Sequence, residues 1–159
     1  MSKETERKFL IKNDSWRSLA KGKRYQQGYL SRNKERVVRI RTVGDKGFLT
    51  IKGKTTGATR AEFEYDIPAA DAEAMLDHLC ERPLIEKNRY KIEFGGLIWE
   101  VDEFLGENQG LAIAEVELKS EDQLFEKPTW IGEEVTGDPK YFNSNLVQHP
   151  TPGGEVFHE

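Results

Sequence analysis

Cysteine is nearly absent from this 159-residue chain. Cys80 stands alone, which excludes an intrachain disulfide and points to a reducing compartment, the cytoplasm. No apolar run is long enough to cross a membrane as a helix, so no membrane partner is expected. Met1–Leu10 is charged and lacks the apolar segment of a secretory leader. Histidine is scarce, and His78, His149 and His158 stand at no spacing that builds a zinc site. Basic charge is not in excess: 24 Lys and Arg against 28 Asp and Glu give a net charge of -4, which argues against a bulk nucleic-acid partner. There is no internal repeat and no low-complexity tract. The length suits a single domain over 1–159, with a loose tail from about residue 149, around Pro150, Pro152, Gly153 and Gly154.

What the chain does have is a series of short alternating segments separated by turn residues. Strands are expected near Glu4–Ile11, Arg24–Ser31, Val37–Val43, Phe48–Lys52, Ala61–Ile67, Ile85–Phe94, Leu97–Phe104 and Ala112–Lys119. Turns fit Gly44–Gly47, Gly53–Thr59 and Gly95-Gly96, the kind that join antiparallel neighbours. Helices are expected after Asn13 or Asp14 (with Trp16 and Leu19), after Pro68 (with Met75, Leu76 and Leu79 on one face), and after Ser120 and Gln123 at capping-box spacing. The fold class is thus mainly β, an α+β chain. About eight strands is also the number at which a sheet closes into a small barrel.

Successive strand residues face opposite sides of a sheet. Charge recurs here at that period of two. Glu4, Glu6 and Lys8 share one face of the first strand, opposite Phe9 and Ile11. Arg39/Arg41, Lys52, Glu62/Glu64, Lys87/Arg89, Glu100/Asp102 and Glu115/Glu117 repeat the pattern, each opposite apolar neighbours. Beyond the first strand the signs segregate by strand, whereas an ordinary wet face intersperses them. If the sheet closes with the charged face inward, the lumen gathers carboxylates and cations that are costly together unless something binds them. Carboxylates suit hard Mg²⁺ or Mn²⁺, and arginine forks suit phosphate. Metal and polyanion together point to a phosphate chain, with the Phe, Ile, Val and Trp residues facing outward beneath the helices.

Glu4-Thr5-Glu6-Arg7-Lys8 fits an E-x-E-x-K signature and resembles the opening of the triphosphate tunnel metalloenzymes, the CYTH superfamily. The pairs at Arg39/Arg41, Glu62/Glu64, Lys87/Arg89, Glu100/Asp102 and Glu115/Glu117, with Lys52, follow in the family's order. Gly132–Thr136 and Lys140-Tyr141 also resemble the short bacterial members. The resemblance implies an eight-stranded antiparallel closed β-barrel, a tunnel open at both ends, with a few packing helices outside. It implies metal-dependent hydrolysis of a short linear triphosphate, inorganic tripolyphosphate foremost. The family also includes thiamine and RNA triphosphatases and class IV adenylate cyclases, and a non-catalytic polyphosphate or nucleotide binder is a further alternative. The implied phosphate ligands are Lys8, Arg39, Arg41, Lys52, Lys87 and Arg89. The implied ligands of one or two Mg²⁺ or Mn²⁺ ions are Glu4, Glu6, Glu62, Glu64, Glu115 and Glu117. Glu64, Lys8 and Arg89 are the candidate catalytic residues. Glu100 and Asp102 receive no role, and monomer and homodimer both remain open.

Two features are decoys. Gly53-Lys54-Thr55 is similar to the end of a P-loop, but Phe48 stands where that loop needs glycine. Cys80 has no histidine at a motif spacing and reads as packing. If Glu115 and Glu117 crowd other carboxylates in the lumen, at least one of them is expected to have a raised pKa.

Overall fold

The structure is a computed structural model that describes residues 2–141, with side chains from Thr5 onward. The side chain of Glu4, the tail, His149 and His158 therefore lie outside the described residues. The described residues form nine strands: β1 (Ser2–Ile11), β2 (Lys23–Asn33), β3 (Arg36–Val43), β4 (Lys46–Lys52), β5 (Thr59–Ile67), β6 (Ile85–Phe94), β7 (Leu97–Phe104), β8 (Ala112–Leu118) and β9 (Ile131–Glu134). The helix α1 (Ala69–His78) connects β5 and β6.

All pairings are antiparallel, in the order β5-β4-β3-β2-β6-β7-β8-β1, and β5 pairs back onto β1. Eight strands thus close in a ring, at the positions the sequence periodicity assigns. β1 closes it with two different partners on one edge. Its first half, Ser2–Thr5, pairs with β5, whereas Phe9 and Ile11 pair with β9. β9 is not among the predicted strands: four residues are too short to show alternation.

The outer face of the ring is apolar and covered in two places. Phe9, Trp99, Val101, Ala114 and Val116 lie beneath Trp16 and Trp130, with Phe125 packed alongside. Trp16 sits on a 3₁₀ turn, Ser15–Ser18, rather than an α-helix. The Asn13 side chain accepts from the Ser15 amide at 3.0 Å and fixes that turn. On the opposite side, Ala72 and Leu76 of α1 pack over Ile40, with Met75 at the margin. Leu79 is exposed, because α1 ends at His78 before it can join that face. Gly47 permits this approach: a Cβ there would stand 2.8 Å from the Ala72 Cβ. The residues directly after Ser120 form no helix. The Gln123 side chain accepts from the Lys119 amide at 2.7 Å, which makes a turn instead.

The interior is not charged throughout. Tyr29, Val37, Ile85, Phe104, Leu111 and Ile113 form a second apolar cluster with Val135 and Tyr141. Val37, Ile85, Phe104 and Ile113 share strand faces with the charged pairs, so they point inward, against the expectation that all such residues face out. This cluster lies at the end where β9 replaces β5. Inside a ring of this size buried charges need partners, and apolar side chains fill the part of the lumen that offers none.

Candidate active site

The charged residues converge on one cavity of about 630 Å³ inside the ring. Glu6, Lys8, Arg39, Arg41, Lys52, Glu62, Glu64, Arg89, Glu100, Glu115 and Glu117 all line it. The closed strand register brings residues far apart in sequence into direct opposition. Lys91, Glu100, Glu115 and Lys8 form one row across β6, β7, β8 and β1. Glu6 stands opposite Glu117. Glu64, Thr50, Arg39 and Tyr29 form a row on the facing wall.

Arg89 is the most heavily partnered cation. Its Nε donates to Asp102 Oδ1 at 2.7 Å and its Nη2 to Asp102 Oδ2 at 2.8 Å. Glu100 lies 3.2 Å from its Nη1, and Glu115 lies 3.7 Å from its Nη2. Burial opposes its charge, but Asp102 outweighs burial and holds the guanidinium pKa well above its ordinary value. Lys87 donates to the same Asp102 carboxylate at 2.7 Å and is 0% exposed. Its Nζ lies 5.5 Å from the Phe104 ring centroid, in the buried wall behind the cavity lining. Burial, deepened by Arg89 and Arg41 and opposed by Asp102, lowers the Lys87 pKa to about 7. Burial pushes Asp102 up, yet Arg89 and Lys87 override it and hold the carboxyl well below the usual range.

On the other wall Arg39 and Arg41 donate their hydrogen bonds to neutral acceptors. Arg41 Nε and Nη2 both donate to Gln27 Oε1, at 3.1 and 3.0 Å. Burial first, then Arg39 and Arg89, lower the Arg41 pKa to about 9. Arg39 Nη2 donates to Thr50 Oγ1 at 3.2 Å, while its buried Nε has no hydrogen-bond partner. Glu64 stands 3.8 Å from Arg39. The Tyr25 ring lies 4.9 Å from both the Arg41 and Arg89 guanidinium carbons.

Carboxylate crowding does not raise the Glu115 pKa. Burial favours the neutral acid, but Lys8 at 3.4 Å, with Arg89 and Lys87, brings it down to about 2. For Glu115 the expected rise does not occur, because these cations outweigh burial and the neighbouring Asp102 charge.

Several cavity residues escape the charge-pair reading. Arg60 and Lys91 line the cavity, on the same strand faces as Glu62 and Arg89, so period two carries their signal. Arg60 falls between the expected turn, Gly53–Thr59, and the expected strand, Ala61–Ile67. Tyr25 in the lining, and Gln27 and Thr50 buried behind it, are uncharged, and their alternation resembles ordinary strand chemistry. Lys8 Nζ also donates to the Tyr141 carbonyl at 3.3 Å, a contact that no local pattern announces.

Among the described residues, no three His, Cys, Asp or Glu side chains gather as a ready metal cluster. The donor chemistry nonetheless fits a hard divalent cation. Glu6 and Glu117 are directly opposed and both line the cavity, and carboxylate oxygens are the donors that a hard divalent cation takes.

The family model of the CYTH domain matches residues 2–148. The inorganic triphosphatase of Acetivibrio thermocellus is 57% identical over 150 residues, spanning 94% of this chain and 96% of that protein. The inorganic triphosphatase of Nitrosomonas europaea is 37% identical over 152 residues, spanning 91% and 96%. The crystal structure of the inorganic triphosphatase NE1496 superposes with a TM-score of 0.66 at 34% identity, covering 93% of this chain and 99% of that one. A Pyrococcus furiosus structure of a conserved hypothetical protein shares the fold, with a TM-score of 0.57 at 22% identity.

Proposed function

This chain belongs to the CYTH family, and from that premise we propose that it hydrolyses inorganic triphosphate to pyrophosphate and phosphate inside the ring. The observation that carries the reading is the cavity itself. Arginines 39, 41 and 89, all nearly buried, face it together with Lys8 and Lys52. Arg39 and Arg41 donate their hydrogen bonds to neutral acceptors, so a short polyanion is the ligand that answers their charge.

Arg39 and Arg41 bind and orient the phosphate chain, since planar guanidinium forks engage phosphate oxygens bidentately. Lys8, Lys52 and Arg89 neutralise charge that develops on the transferred group, because phosphoryl transfer relies on positioning and electrostatics more than on covalent chemistry. Lys87 stands one layer back and acts through Asp102 on Arg89. Glu6, Glu115 and Glu117, with Glu62 and Glu64, are the residues that would hold Mg²⁺ or Mn²⁺, and the sequence pattern adds Glu4. Such an ion, when bound, neutralises phosphate oxygens and lowers the pKa of a coordinated water. Glu64 reaches the cavity beside Arg39 and is placed to accept a proton from water. Cys80, free and buried, fits a reducing, cytoplasmic setting. Among the described residues, no helix is long and apolar enough to cross a membrane.

The test is phosphate release from tripolyphosphate, ATP, thiamine triphosphate and pyrophosphate, with Mg²⁺, with Mn²⁺ and with chelator, while cyclic AMP is assayed in parallel. Tripolyphosphate is expected to show the highest kcat/KM, and only with metal. Equal or better turnover of ATP rejects the assignment to inorganic triphosphate, and cyclic AMP formation redirects it to a cyclase.

A further inference from the structure

Arg41 and Arg89 are held in matching ways by chemically different partners. Each donates through Nε and Nη2, and each stands 4.9 Å from the Tyr25 ring. The acceptor of Arg89 is the Asp102 carboxylate. The acceptor of Arg41 is the side-chain oxygen of Gln27, which is 0% exposed. Gln27 is itself fixed, because its Nε2 donates to Tyr29 Oη at 3.2 Å. Among the described residues, no carboxylate is in ion-pair contact with Arg41.

A carboxylate at position 27 would hold Arg41 in the same geometry and would also cancel its charge. An amide holds the geometry and leaves the charge to whatever enters the cavity. We propose that Gln27 is a positioning residue for the triphosphate, a neutral clamp that orients the Arg41 guanidinium while preserving its full charge for the substrate. This inference rests on reading the cavity as a triphosphate site. It assigns the two walls different electrostatic roles: the β2–β3 wall attracts the polyanion, and the β6–β8 wall is balanced by its own carboxylates.

Two substitutions separate charge from geometry. Gln27→Glu keeps an acceptor for Arg41 and adds a counter-charge. Gln27→Met keeps the volume, removes the acceptor and leaves Arg41 charged. If Gln27 preserves charge, Gln27→Glu melts at or above the wild-type temperature without ligand and raises KM for tripolyphosphate about tenfold or more. Its kcat falls less, and Gln27→Met raises KM by a smaller factor. If Gln27 served only to fix a side chain, Gln27→Glu would bind as wild type and Gln27→Met would be the weaker variant. That order overturns the proposal, as does a Gln27→Glu protein that melts below wild type. Calorimetric titration of inorganic tripolyphosphate in chelator reads the same order of affinities without turnover. A wild-type protein that binds tripolyphosphate but does not hydrolyse it defeats the catalytic assignment while leaving the Gln27 comparison decisive.

Discussion

Asp102 accepts hydrogen bonds from both Arg89, at 2.7 and 2.8 Å, and Lys87, at 2.7 Å, and is itself 3% exposed. One carboxylate therefore compensates two buried cations on β6. Removing one partner of such a pair leaves uncompensated charge in a medium that solvates it poorly. Asp102→Asn should cost on the order of 3–5 kcal/mol of stability. The corresponding fall in Tm is on the order of 10 °C for a chain of this size. The pH dependence follows from the depressed folded-state pKa. The contribution of Asp102 is present above the unfolded carboxyl value and is lost as pH falls towards the folded one. Melts from pH 7 down to pH 3 should show wild type and variant converging with acid. A constant gap would show that the Asp102 charge is not the cause.

Lys87 gives the same sign in a more alkaline range, because folding lowers its pKa as well. Its folded pKa, about 7, lies below the usual lysine value, so between the two the unfolded chain binds a proton that the folded chain does not. Its contribution should therefore grow as pH rises from about 7 towards the ordinary lysine range. Chemical denaturation of wild type and Lys87→Met across pH 7–10 measures it, and Lys87→Met should flatten the rise.

Arg39 tests geometry against charge on the phosphate-facing wall. Its guanidinium is a planar fork whose buried Nε has no hydrogen-bond partner. Arg39→Lys keeps the charge and loses that fork. A lost hydrogen bond to a charged group is worth about 1.5–3 kcal/mol, so kcat/KM for tripolyphosphate should fall about tenfold or more. Circular dichroism should stay unchanged. Wild-type kinetics would remove Arg39 from the substrate contacts.

Glu117 tests the carboxylate side. It stands directly opposite Glu6, and a divalent cation between them would relieve their repulsion and stabilise the fold by mass action. Mg²⁺ or Mn²⁺ should raise the wild-type Tm, and Glu117→Gln should show a smaller rise with severely reduced phosphate release. An undiminished metal shift with full activity would exclude Glu117 as a ligand.

Gly47 tests the packing of α1 and leaves the cavity chemistry untouched. A Cβ at this position would meet the Ala72 Cβ at 2.8 Å and the Ile67 carbonyl at 3.0 Å. Gly47→Ala should cost about 1–3 kcal/mol through overpacking. Well below its Tm the variant should keep near wild-type kcat/KM. A loss of activity at full stability would instead tie α1 to the site.

Alternating segments and turn residues identified the ring strands, and the period-two charge pattern identified the face on which each paired charge lies, because pleating imposes alternation on every strand independently. It missed β9 and misread the segment after Ser120, where elements are too short or too polar for a period to form. It also placed Phe104 and Ile85 outside. Their strand faces matched those of Asp102 and Lys87, but their chemistry suggested a core beneath helices.

By itself, then, the sequence determined the fold class, the sign of the charge on most strands and the mixed cation-and-carboxylate character of the lumen. Local alternation is a property of the backbone and is written residue by residue. Only the tertiary structure decided who partners whom. It closed β5 onto β1, joined Asp102 to both Lys87 and Arg89, lowered the Glu115 pKa with Lys8 across the β1–β8 register, and gave Arg41 a neutral clamp in Gln27. Strand register and burial are set by distant pairings, so the partner of a charged residue, and hence its free charge, appears only when the ring is closed.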